Sequence, residues 1–121
     1  MKKPDAIEQA KLVLGKFGYS ILRTHVRARV LDIEKDGSRF SAGVSRVGLE
    51  GKVNISIAVL SEDNLPLGVI LPLSMLKESP NQEPLSGYSS RDVGPETWIF
   101  MPPVHSSSFY RSMLKRKFVG R

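Results

Sequence analysis

The sequence predicts an α+β fold: an N-terminal amphipathic helix packed on a mostly antiparallel sheet of about five strands, then a long polar loop and a basic C-terminal helix. Three observations carry that expectation. Apolar residues recur at helical spacing near the N-terminus; apolar and polar residues then alternate through much of residues 19–71. After residue 105, apolar and basic residues separate again at helical spacing. With 121 residues the chain fits one domain, expected over 1–104 with the polar loop at 78–97, and the helix of 105–121 packs on it or extends from it.

The first element is placed by Ile7, Ala10, Leu14 and Phe17, with Val13 widening the apolar stripe. Pro4 suits a first helical turn, Asp5 and Glu8 suit its positive end, Lys16 suits the last turn and Gly18 can cap it. From Tyr19 the period changes to two, and residues 19–34 read as a single strand. Asp36-Gly37 is a strong two-residue hairpin signal, returning the chain through residues 38–47. Val53, Ile55, Ile57 and Val59 alternate with Asn54, Ser56 and Ala58, which predicts a half-buried strand. Residues 67–71 are apolar on both faces and read as a central strand. Residues 72–77 fit one helical turn, residues 98–101 a last strand stopped by Pro102-Pro103, and Ser106 or Ser107 a helix cap. In the helix that follows, Phe109, Tyr110, Met113, Leu114 and Phe118 form the apolar face.

Charge is unevenly distributed. Residues 105–121 hold Arg111, Lys115, Arg116, Lys117 and Arg121 with no acid, whereas residues 1–104 hold thirteen basic and twelve acidic residues. A near-neutral body with a cationic end points to nucleic acid or another anionic surface. The chain has no cysteine and only two histidines, His25 and His105, so thiol chemistry and thiolate metal sites are excluded. Pro4-Asp5-Ala6-Ile7-Glu8 stands where a signal peptide needs an apolar run, and the most apolar stretch, 65–76, is short and broken by Pro66 and Pro72. The expected location is therefore cytoplasmic.

Two basic groups are candidate nucleic-acid contacts. On a strand through 19–34, Arg23, His25, Arg27 and Arg29 project from one face at ~6.6 Å intervals, near the phosphate repeat of one nucleic-acid strand. Counting back from the Asp36-Gly37 turn pairs Arg29 with Val44 and Arg27 with Arg46, which adds a fourth arginine. The bland alternative is a solvated sheet face neutralised by nearby acids. The second group is Arg111, Lys115, Arg116 and Lys117, beside aromatic residues able to stack on unpaired bases; anionic lipid headgroups or an acidic partner protein would meet the same charge pattern equally well, and the plain alternative is a packed terminal helix with a solvated basic face. Tyr88, in the polar loop, is the aromatic residue expected to be exposed for a ligand.

These groups favour a nucleic-acid-binding protein that works through charge and stacking, largely independent of sequence, with no catalysis and no cofactor. The alternative is a Mg2+-dependent nuclease, in which Glu50-Gly51-Lys52 supplies an acid-x-Lys tripeptide and Asp32 or Asp36 an upstream carboxylate. Twelve acids and nine lysines produce about one such tripeptide by chance, which is the number present. A third reading is an interaction or assembly module, with the chain forming a homo-oligomer. Arg23-x-x-x-Arg27 followed by Asp36-Gly37-Ser38 also resembles cyclic-dinucleotide-binding patterns. The gap between its halves is short and Ser41 stands where a glycine is wanted, so the chain is assigned to no family.

Overall fold

In the computed structural model, residues 5–49, 52–76 and 89–101 are described. They form one helix, α1 (Ala6–Lys16), and seven strands: β1 (Ser20–His25), β2 (Val30–Lys35), β3 (Ser38–Leu49), β4 (Lys52–Ser61), β5 (Pro66–Pro72), β6 (Ser89–Val93) and β7 (Glu96–Met101). A single 3-10 turn, Leu73–Leu76, follows β5. All strand pairings are antiparallel, in the order β1-β2-β3-β4-β5-β7-β6.

The expected five-strand sheet with a C-terminal helix is corrected accordingly. The strand foreseen over 19–34 is two strands joined by a turn at residues 26–29. The polar loop foreseen over 78–97 contains β6 and the start of β7. The helix foreseen over 105–121 lies outside the described residues.

Helix α1 forms where the apolar stripe placed it, with Ile7, Ala10, Val13 and Leu14 buried. Asp5 caps its start, its Oδ1 accepting from the Ile7 N–H at 3.0 Å. At the other end the Gly18 N–H donates to the Gly15 carbonyl and the Tyr19 N–H to the Leu14 carbonyl, both at 3.0 Å. This is the Schellman pair of bonds that closes a helix and turns the chain away.

The hairpin β2–β3 turns at Asp36 (φ 52°) and Gly37 (φ 80°). Positive φ at both central positions matches the twist of the flanking strands, which is why Asp-Gly selects this turn. Register follows directly from it: Lys35 faces Ser38, and Val30 faces Gly43.

The sheet is curled around the helix. Seven strands ~4.8 Å apart make a flat sheet about 29 Å wide, whereas a helix with its side chains is only about 10–12 Å across. Yet α1 packs against both edge strands, β1 and β6, as well as β3 and β4. Only a concave sheet allows this. Its inner face carries Leu31, Ile33, Ala42, Val44, Ile55, Ile57, Val59, Ile70 and Trp98, which close on the helix residues to form the main core. On the same face Phe100 packs on Phe17 with ring centroids 6.4 Å apart.

The outer face is apolar as well. Directly opposed residues of antiparallel strands share a face, so the pairs His25–Val30, Val30–Gly43, Gly43–Ala58, Ala58–Val69 and Val69–Met101 form one row across six strands. Leu60, Leu71 and Ile99 lie on this face beside the row, and all three are buried. No helix among the described residues is long and apolar enough to cross a membrane.

Candidate functional site

The turn between β1 and β2 holds Arg27 and Arg29, two of the basic residues singled out in the sequence, and His25 adjoins it at the end of β1. It spans Val26–Ala28 and Arg29 and is closed by the Arg29 N–H donating to the Val26 carbonyl at 3.2 Å. Arg29 sits at φ 55°, in the left-handed region, a conformation that is uncommon for a residue with a side chain and leaves no mark in sequence. The Arg29 carbonyl then accepts from the Val44 N–H at 2.9 Å. The expected pairing of Arg29 with Val44 therefore holds, but that of Arg27 with Arg46 does not, because Arg27 has left the strand for the turn.

The four residues expected on one face are separated. Arg23 and His25 lie on the outer face, opposite Asp32 and Val30. Arg27 is at the exposed turn and Arg29 at its end. Arg46 lies on β3 two residues past Val44, opposite Ile55, so its parity is that of the inner face. It is exposed there because β2 has already ended and β3 runs on beside β4 alone.

Asp32 lies beside both residues of the outer-face pair but contacts only one of them. Asp32 faces Arg23 across the β1–β2 ladder, and its Oδ2 lies 2.9 Å from His25 Nε2. The side chains of His25 and Asp32 are 40% and 42% exposed, so their contact contributes little to stability. Its consequence is positional: it fixes the imidazole beside the turn. Asp32 was considered in the sequence as a metal ligand, and its link to His25 becomes visible only once the turn at 26–29 is known.

Against the turn lies an open concavity of about 440 Å³, bordered among the described residues by His25, Val26, Arg27 and Ala28. Arg29 adjoins this border in sequence. Arg46 stands ~6.8 Å further along β3 from the residue that Arg29 faces. None of Arg23, Arg27, Arg29 and Arg46 forms an ion pair among the described residues. The arginines can attract a multiply charged anion from solvent without first breaking a salt bridge of their own.

The remaining candidates do not converge here. Glu50, Tyr88, Arg111, Lys115, Arg116 and Lys117 lie outside the described residues. Lys52 begins β4, whereas Asp32 faces Ser41, which faces Leu60 at the other end of β4. The eight residue steps from Lys52 to Leu60 represent ~26 Å of strand, so Asp32 and Lys52 do not share a site. No three His, Asp or Glu side chains gather to hold a metal ion among the described residues. The halves of the cyclic-dinucleotide-like pattern also part company, since Arg27 and Asp36-Gly37 lie at opposite ends of the six-residue β2, ~20 Å apart.

A second group of aromatic and cationic side chains occupies the other end of the sheet. The Lys35 ammonium lies 5.1 Å from the Tyr19 ring centroid, and Tyr19 meets Phe40 edge-on at 5.7 Å. Burial raises the Tyr19 phenol above its ordinary pKa. The Arg91 guanidinium covers Phe17 at 5.6 Å. These cations seal the rim of the aromatic core.

No protein-family model matches the chain, and neither a curated protein nor a solved structure matches it. The fold and the side chains at the turn are thus the whole basis for a functional reading.

Proposed function

We propose that the protein binds nucleic acid through its phosphates, in a largely sequence-independent way, at the β1–β2 turn. One observation carries the reading: an open concavity bordered by His25 and Arg27, with Arg29 next in the chain and Arg46 two residues along β3 from the residue that Arg29 faces, and no acid paired to any of the three arginines among the described residues. Arginine suits this role because its planar fork donates two hydrogen bonds to one phosphate. Asp32 holds His25 at the border of the concavity, so its carboxylate is already engaged on the outer face while the arginines of the turn stay available to phosphate.

The test is a fluorescence-anisotropy titration with single- and double-stranded oligonucleotides at several salt concentrations. Each phosphate neutralised on a single strand contributes ~0.7 to the negative slope of log affinity against log salt. Arg27→Ala and Arg46→Ala should each reduce that slope by about 0.7 while leaving the melting temperature in place. Affinity that barely responds to salt, or a slope unchanged in both variants, would overturn the proposal.

A further inference from the structure

The outer face of the sheet is covered, yet no described element covers it. Val30, Ala58, Leu60, Val69, Leu71, Ile99 and Met101 lie on this face and none is more than 6% exposed in a single chain. Helix α1 is on the opposite side, among the inner-face residues. The 3-10 turn Leu73–Leu76 follows Pro72, whereas Leu60 faces Pro66 at the far end of β5. One turn of helix cannot reach along the whole strand.

The cover must bring apolar side chains of its own, and the chain has few places to find them. Residues 77–88 offer only Leu85 and Tyr88 as sizeable apolar residues, and residues 1–4 only Met1 and Pro4. Residues 102–121 offer Phe109, Tyr110, Met113, Leu114 and Phe118. The point of departure agrees: β7 ends at Met101, whose side chain closes the row Val30–Gly43–Ala58–Val69–Met101 on the outer face. Twenty residues span as much as 66 Å when extended, against about 29 Å for the flattened width of seven strands.

We propose that the outer face of β4, β5 and β7 is a docking surface and that its occupant is the chain's own segment 102–121. The inference does not depend on the nucleic-acid reading. It has a consequence for that reading, because Arg23 and His25 stand on this same face. A segment seated there brings Arg111, Lys115, Arg116 and Lys117 onto the side of the sheet that leads to the β1–β2 turn.

The natural chain has no cysteine, so one thiol can report on the face. Val69→Cys places it at the centre of the outer row. In the full chain this thiol should react with a maleimide roughly a hundredfold more slowly than in the urea-unfolded protein, as a site reached only by local opening does. Deleting residues 104–121 should remove most of that protection. Should the deletion variant fail to fold, Phe109→Ser/Leu114→Ser in the full chain reads the same contact with the chain length kept. Rapid labelling of the full chain, or protection that survives both changes, overturns the proposal. So does protection that falls on dilution, with light scattering showing a dimer, since a second copy is then the occupant.

Discussion

Replacing Gly68 by alanine should destabilise the domain, and the cause should be Phe100. The Phe100 ring lies over the Gly68 backbone. A Cβ at residue 68 would overlap Phe100 Cε1 and Cζ and stand 2.7 Å from Cδ1. The ring cannot move aside freely, because it packs on Phe17 in the core that joins the helix to the sheet. Forcing a methyl group into such a contact costs about 1–3 kcal/mol. The alanine recovers roughly 0.5–1 kcal/mol by losing the conformational freedom of glycine in a strand. The expected net loss is therefore about 1–2 kcal/mol. For 121 residues the unfolding entropy of ~2.1 cal/mol/K per residue translates each kcal/mol into about 4 °C, so the melting temperature should fall by about 4–8 °C. The assay is a set of thermal and urea melts of Gly68→Ala, Phe100→Ala and the double variant. With the ring gone the new methyl group fits, so the alanine should become neutral or stabilising, with a coupling of about 1–2 kcal/mol between the two positions. If Gly68→Ala costs as much in the Phe100→Ala background as in the natural chain, the ring is not the cause.

Two more outcomes follow from buried polar groups. Ser56 is 2% exposed on the outer face, and its hydroxyl has no hydrogen-bond partner among the described residues. Ser56→Ala should leave stability unchanged or raise it by about 1 kcal/mol in urea melts, because an unpaired buried hydroxyl carries its full desolvation cost; a clear loss would reveal a partner. The Tyr19 phenol is raised by burial, so the folded state holds its proton more tightly than the unfolded chain. Its contribution to stability is complete below the ordinary phenol pKa and is lost as pH rises through the higher folded value. Tyr19→Phe should accordingly flatten the alkaline limb of the stability–pH profile; an unchanged limb would assign it to the lysines.

Elements with a strong period or a diagnostic turn could be read from sequence. The stripe from Ile7 to Phe17 gave α1, Asp36-Gly37 set the β2–β3 register as far as Arg29, and the alternation of residues 53–59 marked β4. Two features had no such signal. The Val26–Arg29 turn contains no glycine, proline, asparagine or aspartate, and its left-handed residue is an arginine. Periodicity therefore ran straight through it and merged two strands. Strand β6, Ser-Ser-Arg-Asp-Val, is almost entirely exposed at the sheet edge, so it lacks the buried face that gives a strand its alternation. The same missed turn explains what could be read of the candidate site. The basic residues were identifiable, but their arrangement depended on a reversal the sequence does not announce, as did the pairing of Asp32 with His25.

Contact of α1 with both β1 and β6 ties together two strands that share no hydrogen bond. In an open sheet the outermost strands fray first and independently, each exchanging its amide protons through small local openings. Here either edge can peel away only by giving up part of the surface on which the helix rests, and a loosened helix also frees the opposite edge. The two margins should therefore open as one cooperative unit resting on Ile7, Val13, Leu14 and Phe17, and their slowest amides should share a common opening energy in hydrogen exchange despite lying at opposite ends of the strand order. A helix seated against both margins thus couples the two edges of a seven-stranded sheet that no hydrogen bond joins.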